Sequence, residues 1–471
     1  MYDAIIVGAG PAGLYSAYEF ALKAPHLKIL LIDKGHDIEK RKCPILEGKL
    51  TKCPPNPKGY LGCYPACSIT AGFGGSGAYS DGKFNITNQF GGWLTEYLSD
   101  ADVLALIEYV DEINLAHGAT TEITDPTTKE VQAIEKKANA VNLKLLKAKL
   151  RHLGTEQNLI VMTNINKWLK KRLEMRFKTE MVDVIIEANE VKGIVLKNGE
   201  KLYSKNIILA LGREGATSLV KLCQKHDLKM TNNQVDIGVR VETSNAVMKE
   251  INTHLYEGKF VYKTSLNTEV RTFCSNPSGH VVIENHNGTA VVNGHAFRDP
   301  KLGTDNTNFA LLVSHRFTAP FNEPNEFAHA VANLANKLAV GGVIVQRYGD
   351  FINGKRTSKE GLEKNIIIPS LKEAIAGDLS LVLPYKTMQS LIEMMTVLDK
   401  ITPGIASAET LFYGVEAKFY SARPEIDNNF ETKIKGLYMA GDGAGLTRGL
   451  AQAGANGVFL AREIINKKEK D

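Results

Sequence analysis

The sequence predicts an α/β fold in which a parallel, helix-flanked sheet is assembled from separated segments. A smaller, strand-rich α+β domain is inserted between those segments. Three observations predict it. An apolar strand runs straight into a glycine-rich turn and a helix within residues 4–23. A second apolar strand ends in Gly441-Asp442 near the other end of the chain. Between them lie many short apolar runs punctuated by turn residues. At about 150 residues per domain, 471 residues allow two or three domains.

Taken in order, Ala4 to Val7 is an apolar run that reads as a buried strand. Gly8-Ala9-Gly10-Pro11-Ala12-Gly13 follows at once, and Leu14 to Lys23 has the pattern of an amphipathic helix. A further apolar run, Lys28 to Ile32, ends in Asp33, twenty residues beyond Gly13, with Lys34 beside it. This is the βαβ fingerprint of a Rossmann-like dinucleotide-binding domain. Gly8 permits the tight turn, Gly10 lets a pyrophosphate approach the backbone, and Gly13 lets helix and strand pack closely. The helix that Pro11 and Ala12 open presents free N–H groups and a positive dipole end to the phosphates. Asp33 is placed to accept from a ribose hydroxyl. The fingerprint alone does not separate FAD from NAD.

Gly72 to Lys83 interleaves glycines with Phe73 and Tyr79, which favours a packed ligand loop with Gly74, Gly75 and Ser76 at its crest. Met181 to Glu187 (including Val182), Val191 to Leu196, the Asn198-Gly199 turn and Lys201 to Tyr203 read as an antiparallel meander. Asn206 to Leu211 is then a buried strand ending at Gly212. The last strand ends at Asp442, and a glycine-rich turn leads into a helix from Gly449 to about Asn466. Two readings of Asp442 stand. It holds ribityl hydroxyls of a flavin, with the helix behind it aimed at the flavin pyrimidine, or it is an N-cap aspartate.

The flavin-type domain is therefore expected in three pieces, 1–95, 155–225 and 425–471. A helical insertion is expected at 96–154, with helices at Ala101 to Ala116 and Lys129 to Leu153. A substrate domain is expected at 226–424. Its strands are Val235 to Glu242, Lys259 to Thr264, Glu269 to Cys274, His280 to His286, Thr289 to Phe297 and Phe309 to Phe317. Asn287-Gly288 closes one hairpin, and helices follow near Glu326 to Leu338 and Lys386 to Leu398. No second GxGxxG follows residue 13, so a separate nicotinamide-binding Rossmann domain is not expected.

The order of fingerprint, meander, glycine-ended strand and C-terminal Gly-Asp resembles that of glutathione-reductase-like flavoproteins. The stretches GAGPAGL, GFGGSGAYSDGK, LRHLGTE, VDIGVRVE, RTFCSNPSGHVV, NTNFALLVS, TLFYGVEAKFYS and GLYMAGDGAGLTRGLAQA span nearly the whole chain. They resemble a family of uncharacterised bacterial and archaeal FAD-dependent dehydrogenases. The resemblance implies bound FAD, a Rossmann-like flavin domain and an inserted substrate domain, and says nothing of the substrate.

Composition narrows the alternatives. With 44% hydrophobic and 23% charged residues the chain is an ordinary globular protein. A net charge of +5 is too slight to argue for nucleic acid, and no run approaches the ~20 apolar residues of a membrane helix. The start lacks a basic region and a cleavage site, and six cysteines make no disulfide scaffold, so a reducing cytoplasm is the expected address. Cys43, Cys53, Cys63 and Cys67 crowd a Pro-rich stretch; a metal or cluster site, a redox pair and an ordered loop of free thiols all remain open. Cys274, in a turn-rich strand end, and His295 are the candidate catalytic residues, with His280 a further proton donor. The expected function is an FAD oxidoreductase that moves a hydride through flavin N5 to or from a small molecule. The electrons come through that substrate, transient NAD(P)H or a redox protein. An electron-transfer flavoprotein and an RNA-modifying flavoenzyme are the alternatives.

Overall fold

The computed structural model describes every residue except 45, 46, 48, 51–53, 55, 56, 58–62, 65, 81, 256, 287, 288, 298, 299, 319, 322 and 471. It divides into two compact units. The first comprises Met1–Ile123, Ala148–Thr231 and Ser421–Asp471; the second comprises Thr124–Lys147 and Asn232–Tyr420.

The first unit is built on five parallel strands in the order 437–439, 207–209, 4–7, 29–33, 174–177. The strands read as continuous apolar runs because helices cover both faces of such a sheet. The order reverses beside the strand Ala4–Val7, which makes a topological switch point there. Pro11 starts the first helix, Pro11–Lys23, at a position where its missing N–H is harmless. That helix packs on the last one, Leu450–Lys470, backbone against backbone. A Cβ on Gly457 would lie 1.9 Å from the Ala12 carbonyl oxygen, so only glycine allows this approach. Buried Glu19 accepts from Tyr109 and from Arg462, tying the first helix to its two neighbours. The meander forms as three antiparallel strands, Met181–Glu187, Glu190–Leu196 and Lys201–Tyr203.

The second unit is an eight-stranded sheet in the order 375–376, 344–347, 411–418, 235–244, 306–315, 269–276, 259–263, 144–146. All its pairs are antiparallel except 344–347 with 375–376. Val235, Ile237, Val239 and Val241 point to one face, where the helices Pro324–Leu338 and Tyr385–Ile401 cover them. His280–His286 pairs with Thr289–His295 as a separate hairpin; its Asn287-Gly288 turn lies outside the described residues.

One expectation fails plainly. Lys129 to Leu153 is not one helix. The helix stops at Asn139, and the strands Lys144–Leu146 and Lys149–His152 follow. Asn142 takes a left-handed φ of 59°, and the Leu143 amide donates to the Ala138 carbonyl at 2.9 Å. This is the six-to-one closure of a helix end, for which asparagine substitutes for glycine. The stretch expected as one helical insertion is accordingly shared out, 124–147 to the second unit and the rest to the first. Among the described residues no helix is long and apolar enough to cross a membrane.

Candidate functional site

The site lies in the first unit, above the carboxyl ends of the strands 4–7, 29–33, 207–209 and 437–439. Its glycines fall into two kinds. A Cβ on Gly8 would lie 2.2 Å from the Ala210 carbonyl oxygen, and one on Gly13 would lie 1.9 Å from the Gly8 carbonyl oxygen. These two serve packing: Gly8, at φ 106°, seats the turn on the next strand, and Gly13 lets the helix cross the first strand. The others look into open space. Around a Cβ on Gly10 the nearest atom is the Gly75 Cα at 4.0 Å; on Gly449 it is the Gly91 Cα at 4.0 Å; around Gly212 nothing lies within 4 Å. The fingerprint turn, the turn after the strand 207–209 and the start of the last helix thus each offer bare backbone to a ligand.

Asp33 and Asp442 bound this crevice. The buried Asp33 carboxylate accepts from the Ala9 amide at 2.8 Å and from the Gly35 amide at 2.7 Å. It therefore fixes the turn it was expected to serve, and each oxygen keeps a lone pair for a ribose hydroxyl. The neighbouring Lys34 pairs with Glu214 at 3.3 Å. Asp442 is mostly buried in the turn before the last helix. It accepts from Thr447 Oγ1 at 2.6 Å and meets Arg213 Nε at 3.3 Å. Arg213 reaches it because Gly212 and Gly443 are in close backbone contact. Burial pushes the Asp442 carboxyl above its ordinary range, opposed by Arg213, Thr447 and Arg448. Asp442 caps no helix through its own side chain; the last helix begins eight residues later, at Leu450.

The Gly72–Ser80 loop closes on the fingerprint turn. Gly74 donates to the Ala9 carbonyl at 2.7 Å, and a Cβ on Gly75 would lie 2.9 Å from the Gly10 Cα. Ser76 is exposed at the crest; Asp81 lies outside the described residues. Buried Arg41 holds the loop. It donates to the carbonyls of Ser68 (2.9 Å), Ile69 (2.8 Å) and Phe73 (2.5 Å), and Tyr79 stacks on its guanidinium and donates to its carbonyl. Asn158 donates to the Gly77 carbonyl at 2.6 Å. Sequence reasoning missed both residues, since their partners are main-chain groups far away in sequence. Val182 sits at a register shift in the first meander strand with its side chain exposed.

The two catalytic candidates belong to the second unit. Cys274 is at φ 50°, where the pairing of its strand with 306–315 slips. Its amide donates to Glu257 at 2.7 Å, and its carbonyl accepts from Arg240 at 2.6 Å and Asn276 at 3.1 Å. Its Sγ accepts from Asn276 Nδ2 at 3.9 Å, and its backbone contacts lie around the fully buried Arg240–Glu416 pair. His295 ends its strand exposed, with its ring 4.8 Å from that of Phe297 and its Cα paired with that of His280. His280 Nε2 lies 2.8 Å from the Leu302 carbonyl. Cys43, Cys63 and Cys67 are free, half-buried thiols; Cys53 lies outside the described residues. Among the described residues no group of three His, Cys, Asp or Glu is placed to hold a metal.

Residues 234–419 match the family described as FAD-dependent protein, C-terminal domain-like. A Clostridium beijerinckii protein described as "Uncharacterized protein" is 26% identical over 98% of this chain and 80% of its own length. Among solved structures, glycine oxidase from Bacillus cereus aligns over 99% of this chain and 96% of its own, at 13% identity and a TM-score of 0.39. Pyridoxine 4-oxidase from Mesorbium loti aligns over 99% of both chains at 12% identity and a TM-score of 0.45. The family match covers the second unit's sheet except its edge strand 144–146, and the dinucleotide fingerprint lies in the first unit. Together they point to FAD and to flavin oxidoreductase chemistry.

Proposed function

We propose that the protein is an FAD-dependent oxidoreductase acting on a small molecule, of the kind represented by the uncharacterised FAD-dependent dehydrogenases. The observation that carries this is the row of open glycine faces at Gly10, Gly212 and Gly449, with a carboxylate at either end of the crevice. A dinucleotide as long as FAD needs contacts over such a span. The three-stranded meander and the Gly-Asp ending of the last strand support the glutathione-reductase-like form of the flavin domain.

The chain's own residues would act as follows. Gly8 to Gly13 and the first helix N-terminus would hold the pyrophosphate through main-chain N–H groups. Asp33 would accept from the adenosine ribose and Asp442 from the ribityl chain. Gly449 and the start of the last helix would face the pyrimidine end. Bound flavin supplies hydride transfer at N5; orientation, proton positions and exclusion of water fall to the protein. Among the described residues the second unit's sheet, antiparallel in all but one pair, has no parallel switch point for a second dinucleotide. NAD(P)H, where it is the donor, would therefore bind transiently, and a redox protein or the substrate itself are the other sources of electrons.

Purified protein should be yellow and release FAD on heating or acidification. A colourless protein that takes up no added FAD would refute the proposal.

A further inference from the structure

A cavity of about 440 Å³ lies in the first unit, at the end of the parallel sheet opposite the crevice. It is framed by residues that lead into the strands 4–7, 207–209 and 437–439, at their amino ends. Small-molecule sites typically enclose about 300–1,000 Å³. The buried members of the lining make an apolar floor: Val191 and Ile465, joined by half-buried Leu27. One polar group breaks that floor. Asn206, 8% exposed, donates through Nδ2 to the Asp3 carbonyl at 3.0 Å. Its Oδ1 has no hydrogen-bond partner among the described residues. A buried amide oxygen in that state calls for a donor from outside the chain.

The rim is cationic. Lys205 and Lys435 stand two residues before Ile207 and Leu437, which pair in register, and the Ile207 amide donates to the Gly436 carbonyl at 2.8 Å. Two exposed lysines therefore border the cavity from adjacent strand starts. Lys205 has no acid partner among the described residues. Lys435 comes no nearer than 3.6 Å to Glu190, whose other oxygen Lys192 holds at 2.7 Å. The remaining charges are largely matched: Lys468 binds Asp3 at 2.5 Å, Lys467 binds Glu431 at 3.2 Å, and Glu469 is exposed. Neighbouring like charges repel, and an anion held between them turns repulsion into attraction.

We propose that this cavity binds a nucleoside monophosphate whose base carries an exocyclic amine, such as AMP. The phosphate lies between Lys205 and Lys435, the base lies on Leu27, Val191 and Ile465, and the amine donates to Asn206 Oδ1. A lysine is a flexible point charge, suited to a phosphate at an exposed rim. The adenine N6 supplies the missing donor. Hypoxanthine would instead set a carbonyl oxygen against the amide oxygen. None of the crevice residues lines this cavity, so the site is separate from the cofactor's.

Titration calorimetry of FAD-saturated protein tests this, comparing AMP with IMP, adenosine and inorganic phosphate and measuring FAD content after each run. One AMP should bind per chain, about tenfold or more tighter than each of the other three, since each lacks one of the three contacts. Lys205→Gln and Lys435→Gln together should weaken AMP about tenfold or more, leaving adenosine affinity, Tm and FAD content unchanged. No binding of AMP, equal binding of AMP and IMP or of AMP and adenosine, phosphate bound as tightly as AMP, or unchanged AMP affinity in the double variant overturns the proposal. So does release of FAD by AMP, which would place the nucleotide in the crevice. Protein that takes up no FAD bears on the flavin reading alone, and the double variant then still decides where AMP binds.

Discussion

Gly10 and Gly13 lie three residues apart in one motif, yet the structure gives them opposite duties, and replacing each by alanine separates the two. Gly13→Ala would place a methyl 1.9 Å from the Gly8 carbonyl oxygen and 3.1 Å from Ile6 Cγ2. Main chain on both sides resists, so the helix must lift from the strand. Overpacking of this kind typically costs about 1–3 kcal/mol. Gly10→Ala meets nothing nearer than 4.0 Å, and Gly10 sits at φ −70°, which alanine adopts freely. Its effect on the apoprotein should stay within about 0.5 kcal/mol. The same methyl occupies the space through which the pyrophosphate reaches the turn, so FAD affinity should fall by about tenfold or more, roughly 1.4 kcal/mol. The assays are urea unfolding of the apoproteins and fluorescence titration with FAD. Apoprotein destabilised equally by both changes, or FAD bound by Gly10→Ala with unchanged affinity, would refute the assignment of the open face to the phosphates.

Three further outcomes follow from the same geometry. Burial holds the Asp442 carboxyl above its unfolded value, so its contribution to stability is full below the unfolded pKa and is lost as pH rises through the folded one. Asp442→Asn should therefore raise the apoprotein Tm at neutral pH and flatten its acid-range pH dependence, while weakening FAD retention; an unchanged Tm profile in calorimetry would contradict this. Arg41→Met leaves the carbonyls of Ser68, Ile69 and Phe73 without their donor, at about 1–3 kcal/mol for each buried group left unpaired. Amide exchange across residues 67–79 should accelerate and FAD occupancy should drop, and unchanged exchange would show the loop stands by itself. Cys223 is buried and its thiol is pushed up to about 11, so it should resist alkylation that the half-buried Cys43, Cys63, Cys67 and Cys274 undergo, as read by mass spectrometry of the native protein.

What was legible in the sequence was local. The Gly8–Gly13 turn, the spacing to Asp33, the meander and the Gly-Asp strand end are all carried within short windows, where period and turn chemistry suffice. What was not legible depends on groups remote along the chain. Arg41 clamps carbonyls about thirty residues on, Asn158 bonds to Gly77, and Arg213 reaches Asp442 only because Gly212 and Gly443 touch. The helix Gly154–Lys170 went unread because no side chain caps its start. The overlong helix from Lys129 failed because Asn142 ends it without a glycine or a proline to mark the place.

The central strands of the second unit show a different limit. Val235 to Ser244 alternates apolar and polar residues, the pattern of a strand with one face in water. Yet Asp236, Arg240 and Glu242 on the polar face are fully buried. Each is matched by a strand neighbour or a covering segment. Arg240 meets Glu416 at 3.4 Å and Asn308 at 2.9 Å; Glu242 accepts from Tyr413 at 2.5 Å and Asn306 at 3.1 Å; Asp236 accepts from Ser314 at 2.7 Å and from Arg271 and Tyr420. The partner strand Leu411–Lys418 shows little alternation, and is buried along nearly its whole length. Buried ion pairs contribute little net stability, because desolvation offsets their attraction, whereas removing one partner costs about 3–5 kcal/mol. Such a face fixes strand register, since a slip of one residue would strand every charge at once. The polar half of an alternating strand therefore reports which groups stand opposite it, and exposure to water is only one of the ways those groups can be supplied.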